Sequence, residues 1–177
     1  MNRPYLYAAL LLLTQCSKCK DDPKPGQDKL PPVTQEGENT FGCLLNGQVW
    51  TPRGNDGFSN YTVDYDPTRA QGTLSIAAAR IRSATNDHQT LGLFSDSIQA
   101  TGTYRLRTQG RHGAGMMDVR TGCQYYAVDA STYCRGRLTL TRLDRQAGIV
   151  AGTFEFVLAK PGCDTVRVTE GRFDKKL

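Results

Sequence analysis

The sequence holds little of what acid–base and metal chemistry draws on. Its 177 residues include two histidines, His88 and His112, one tryptophan and three methionines. Both histidines sit in polar, loop-like surroundings and read as exposed loop residues. No HExxH, GxSxG or P-loop pattern occurs, so the common sequence marks of a zinc protease, an α/β-hydrolase or a nucleotide-binding enzyme are missing. A Ser/His/Asp set assembled only in space escapes such a search. No apolar run approaches the ~20 residues that a membrane-spanning helix needs. No segment shows a convincing 3.6-residue period, no internal repeat of fixed length appears, and no nucleic-acid-binding motif is present.

What the chain does have begins at its N-terminus. Arg3 is followed by YLYAALLLLT (Tyr5–Thr14), an almost wholly apolar run of the length of a signal-peptide core. Leu13-Thr14-Gln15-Cys16 then matches a bacterial lipobox, in which the cysteine becomes the acylated N-terminus. Gln15 stands where a small residue is usual. Cys16 and Cys19 also form a CxxC, but neither a second cysteine pair for zinc nor a strand-to-helix context for a redox dithiol accompanies it. The expectation is a signal peptide over 1–15, lipidation at Cys16, and a disordered Pro/Asp/Lys-rich tether over 16–39. Two or three acyl chains suffice for stable membrane anchoring. The acidic residues of Lys20-Asp21-Asp22 suggest export to the outer face of a bacterial outer membrane. Cys19 is left over, either as a free thiol or for an intermolecular bridge.

From Thr40 onward period-two patterns take over. Asn46-Gly47 in TFGCLLNGQVWTP is a strong hairpin signal, because both residues tolerate positive φ. RGRLTLTRLD, IVAGTFEFVLA and CDTVRVTEGRFD alternate apolar and polar residues, the mark of antiparallel strands with one buried face. About nine strands and no substantial helix outside the signal peptide predict an all-β domain over 40–177, an antiparallel β-sandwich or a flattened barrel. The net charge of +5 comes mostly from Arg80, Arg82, Arg105, Arg107, Arg135, Arg137, Arg142 and Arg145. These fall at alternate strand positions and read as a solvated sheet face, not as a nucleic-acid patch.

Four cysteines lie in the domain, and an even number in an oxidising compartment favours two disulfides. Three pairings exist. Cys123–Cys134 flanks a single loop, which leaves Cys43–Cys163 to tie the two ends of the domain together. A four-cysteine zinc site is disfavoured by the spacings.

NTFGCLLNGQVWTP (Asn39–Pro52) and the segment Leu138–Phe173, ending in GTFEFVLAKPGCDTVRVTEGRF, resemble the ends of small secreted lipoproteins of Bacteroidetes type whose function is unknown. The resemblance implies an all-β secreted domain behind a lipobox and assigns no catalytic residue.

Candidate sites are few. Tyr125, Tyr126 and Tyr133 surround one loop and are the candidates for contacting a glycan or a protein ligand. Asn55, Asp56, Asn60, Asp64 and Asp66 offer oxygen ligands but lack the ordered spacing of a calcium loop. Trp50 reads as core. No cofactor, metal or catalytic residue is assigned. The expected function is a lipid-anchored, non-enzymatic binding or envelope-surface module; a secreted β-sandwich hydrolase, glycan-acting for example, on two convergent carboxylates or a His88 or His112 dyad is the alternative, and an accessory subunit of a surface complex a third reading.

Overall fold

The computed structural model describes residues 29–54, 57–82 and 87–177. Cys16, Cys19, Asn55, Asp56 and the side chain of Arg82 lie outside the described residues. Eleven strands follow in chain order: β1 (Thr40–Leu45), β2 (Gln48–Trp50), β3 (Tyr61–Asp66), β4 (Thr73–Arg82), β5 (Asp87–Ser95), β6 (Gly102–Arg107), β7 (His112–Asp118), β8 (Cys123–Tyr126), β9 (Tyr133–Asp144), β10 (Ile149–Ala159) and β11 (Val166–Lys176). They form two antiparallel sheets, β2-β1-β11-β10-β9-β6 and β3-β4-β5-β7-β8, packed as a sandwich and not closed into a barrel. No helix occurs among the described residues. The count exceeds nine chiefly because Met116–Val128 is two strands. Asp118 accepts hydrogen bonds from the amides of Arg120 and Thr121 and turns the chain, so that Asp118 pairs with Cys123 across a hairpin.

The expected hairpin at Asn46-Gly47 is present. Both residues take positive φ, 50° and 82°, which the right-handed strand twist of a two-residue turn requires. Alternation in β9 and β10 sends Leu138, Leu140, Phe154, Phe156 and Leu158 inward, each at most 3% exposed. Phe41 joins this layer to the start of the second sheet, with ring centroids 6.0 Å from Trp50, 5.4 Å from Tyr61 and 5.2 Å from Phe154. Such aromatic contacts are worth ~0.5–1.5 kcal/mol each beyond their buried area. Trp50, read as core, is 2% exposed; its indole N–H donates to Gln89 Oε1 at 3.0 Å, and Gln89 in turn donates to Asp118 at 2.8 Å. After β2 the chain crosses to the second sheet, where Arg53 exchanges backbone hydrogen bonds with Ala79 and Ile81.

The disulfide joins Cys123 to Cys163, and Cys43 and Cys134 are unpaired and buried. The expected pairings Cys43–Cys163 and Cys123–Cys134 are therefore both corrected. Cys43 and Cys134 occupy inward positions on β1 and β9, two strands of one sheet with β11 and β10 between them. Three strand spacings, ~14 Å, exceed the reach of a disulfide. Cys123 opens the edge strand β8, beside the β10–β11 turn that carries Cys163. Lys160 donates to the Gln124 carbonyl and Tyr125 to the Asp164 carbonyl at the same junction.

The last ten residues of the segment expected as tether are held on the first sheet. The buried carboxylate of Asp174 accepts four hydrogen bonds, from Thr34 Oγ1 and from the amides of Glu36, Gly37 and Glu38, at 2.7–3.2 Å. Arg172 reaches the Pro31 carbonyl at 3.3 Å, and Arg142 the Gln35 carbonyl at 2.5 Å.

Candidate functional site: an arginine groove

The strands β6 and β9 are not neighbours in sequence, yet they pair in a register that sets Arg105 opposite Arg137 and Arg107 opposite Arg135. Their inward neighbours Leu106 and Leu138 are buried, so alternation turns all four guanidinium stems to the outer face. On the far side of β9, β10 sets Glu155 opposite Arg137 and Val157 opposite Arg135, and β11 sets Arg167 opposite Val157. The result is an open groove of about 1030 Å³ on the outer face of the first sheet. Five arginines and one glutamate line it, together with Thr103, Thr169, Tyr133, Val157 and the backbone of Gly136. Two register shifts, between Phe154 and Phe156 of β10 against β11 and between Ala151 and Gly152 against β9, fall in the strands that form its floor. Bulges of this kind bend a strand and deepen its local twist.

Gly136 sits between the two β9 arginines for a steric reason. A Cβ there would lie 2.2 Å from the Glu155 carbonyl oxygen and 2.6 Å from Phe156. Glycine there lets β9 approach β10 closely beneath the row of arginines.

Electrostatically the site is one-sided. Arg137 pairs with Glu155 at 3.2 Å, with both side chains about half exposed, so the pair is largely screened. Among the described residues Arg105, Arg107, Arg135 and Arg167 have no side-chain acceptor. Like charges directly opposite each other across a strand pair are destabilising. Two such pairs side by side raise the potential of the groove and leave up to five donors per guanidinium for carboxylate, sulfate or phosphate oxygens.

The other sequence candidates are dispersed. Tyr125 is buried, 3% exposed, and spends its hydroxyl on Asp164. Tyr126, the next residue, points to the opposite face and lies on the outer side of the second sheet, 43% exposed, beside an apolar trough formed by Phe94, Met117 and Val128. Tyr133, 51% exposed, stands at the arginine groove on the other sheet. Strand alternation separates the first two, and the crossing between sheets carries away the third, so the three do not make one aromatic site.

His112 does meet a serine: its Nδ1 lies 2.5 Å from Ser95 Oγ, across the β5–β7 pair. Burial holds the imidazole below its ordinary value, with Arg111 acting in the same sense and Asp96 opposing. Ser95 is 1% exposed, however, and the ring edge rests on Tyr104 at 5.2 Å. A nucleophile so covered has no approach for a substrate, and among the described residues no carboxylate hydrogen-bonds the ring. His88 contacts Thr90 at 3.3 Å and, among the described residues, no other side chain of catalytic type. Of the oxygen ligands, Asp66 accepts from the amide and hydroxyl of Thr68, while Asn60 donates its Nδ2 to the Gly54 carbonyl. Among the described residues no three His, Cys, Asp or Glu side chains gather as a metal site.

The buried thiols are chemically quiet. Burial pushes Cys43 up to about 12 against the pull of Arg80 and Arg172, and raises Cys134 as well. Both are protonated at neutral pH and are poor nucleophiles.

The groove is the feature that the sequence pattern hides. R-x-R occurs three times, at 80–82, 105–107 and 135–137, and each of the last two puts two cations on one face of the first sheet. Only the pairing of β6 with β9 merges them into a patch, so the reading of scattered charge on a solvated face is too diffuse. Comparisons with protein-family models, curated proteins and solved structures find no match, and the site stands on its own geometry.

Proposed function

We propose that the protein is a non-enzymatic binding module, lipid-anchored at Cys16 to a bacterial outer membrane and surface-exposed, and that the arginine groove takes an anionic ligand. The observation that carries this reading is the set of five groove arginines, two opposed pairs and Arg167, of which only Arg137 has a side-chain acceptor among the described residues. Such an arrangement costs stability and is compensated when anions fill it. The Cys123–Cys163 disulfide supports an oxidising, extracytoplasmic compartment. The apolar run ahead of Cys16 and the likeness of the end motifs to small secreted lipoproteins support the anchor.

A hydrolase is the second reading, and the Ser95–His112 contact is what favours it. The coverage of Ser95 counts against it.

The test uses the full-length protein in a neutral detergent. Surface-immobilised dextran sulfate should retain it and unmodified dextran should not, with retention falling steeply as salt is raised through the range in which the Debye length shrinks below ~10 Å. The double variant Arg107→Ala/Arg135→Ala should weaken binding at least about tenfold, the loss of ~1.4 kcal/mol or more from charge-assisted hydrogen bonds. Equal retention of the variant would sink the groove as the site. Mass spectrometry of the membrane-extracted protein should find acylated Cys16 at the N-terminus; an N-terminus that retains Arg3 would remove the anchor.

A further inference from the structure

Resting on the anionic-ligand reading, we infer that the groove is built for a linear acidic polysaccharide, a sugar polymer that carries carboxylate or sulfate groups, and not for a polyphosphate strand. The floor has an order that a uniform polyanion does not match. Across the strands one row runs Arg107, Arg135, Val157, Arg167, and the next runs Arg105, Arg137, Glu155. Neighbouring strands lie ~4.8 Å apart, so Arg135 and Arg167 stand about 10 Å apart at the backbone with an apolar residue between them. The first row is cation, cation, apolar, cation; the second sets a carboxylate beside its cations.

A nucleic-acid backbone carries an anion on every unit and would bring one of them against Glu155. A sugar polymer interleaves its anionic groups with hydroxyls and with the apolar C–H faces of its rings. Hydroxyls donate to Glu155 and exchange hydrogen bonds with Thr103 and Thr169, while ring faces rest on Val157 and against the exposed ring of Tyr133. Single-stranded nucleic acid is held in addition by successive aromatic platforms under its bases. Among the residues lining this groove, Phe156 is buried beneath the floor and Tyr133 is the one exposed ring. Size points the same way. At about 1030 Å³ and open along one side, the groove lies at or above the top of the ~300–1,000 Å³ range of small-molecule sites and suits several linked units.

The experiment measures binding of the full-length protein, in neutral detergent and at one ionic strength, to four end-tethered polymers: hyaluronate, keratan sulfate, neutral dextran and oligothymidylate. At least one acidic glycan should bind about tenfold or more tighter than both oligothymidylate and dextran, and the preferred one identifies carboxylate or sulfate as the group read. Glu155→Gln should narrow the gap between glycan and oligothymidylate to within about threefold, by removing the repulsion of phosphate and weakening the hydroxyl acceptor. Oligothymidylate binding as tightly as the acidic glycans would overturn the polysaccharide inference and leave the anionic-ligand reading standing. Retention of no polymer above dextran would overturn both. A Glu155→Gln variant with an unchanged ratio would overturn the discriminating part given to that carboxylate.

Discussion

Asp174 is a carboxylate 1% exposed, and nothing in its immediate strand context explains why it should be there. Burial by itself raises its pKa, but the hydrogen bonds from Thr34 and from the amides of Glu38, Gly37 and Glu36 outweigh that and hold it below the ordinary carboxylate value. Because the folded value is the lower one, its contribution to stability is fully present above the unfolded carboxylate pKa of ~3.9 and is lost as pH falls through the folded value. Chemical denaturation midpoints should therefore stay level from neutral pH down to about 5 and then drop below ~4. Asp174→Asn should cost about 2 kcal/mol at pH 7, since an amide offers one acceptor oxygen where two served four donors, and should flatten that acid limb. An unchanged acid limb in the variant would place the pH dependence elsewhere. The same substitution should expose residues 30–39 to proteolysis, because these donors are what fasten the segment to the sheet.

Among the elements, β6 and β9 matter most, since each is unremarkable alone. Their alternation was legible: Leu106, Leu138 and Leu140 go inward and the arginines outward, as period two dictates. The pairing was not, because β6 and β9 are separated by two strands of the other sheet, and no local pattern states which edge a strand will join. The hairpin at Asn46-Gly47 and the meander β9-β10-β11 were legible for the opposite reason, as their partners are adjacent in sequence and the turn residues specify them. If the opposed arginines serve binding at the expense of the sheet, Arg107→Thr/Arg135→Thr should leave the urea midpoint unchanged or raise stability by about 0.5 kcal/mol, while weakening binding to dextran sulfate at least about tenfold. A loss of more than about 1 kcal/mol would mean that the side chains are structural.

For the whole molecule, the cross-links show where local reasoning ends. Cys123–Cys163 spans 40 residues and ties the edge of the second sheet to a turn of the first. On a loop-entropy account its removal by Cys123→Ser/Cys163→Ser should cost about 4 kcal/mol. Cys43 and Cys134 should remain unreactive to a water-soluble thiol reagent in the native state and become reactive on unfolding. A native protein that labels at either would contradict its burial. By itself the sequence determined the secondary-structure class, the main inward alternation of the last three strands, the Asn46-Gly47 turn and the apolar character of the core, because these follow from periodicity and from turn chemistry within a few residues. Only the tertiary structure decided which cysteines meet, that Asp174 fastens residues 34–38, that the three tyrosines part, and that two R-x-R pairs become one groove. Each of these depends on which strands become neighbours across the sandwich, a choice made by burying the two inner faces together and not by any single segment.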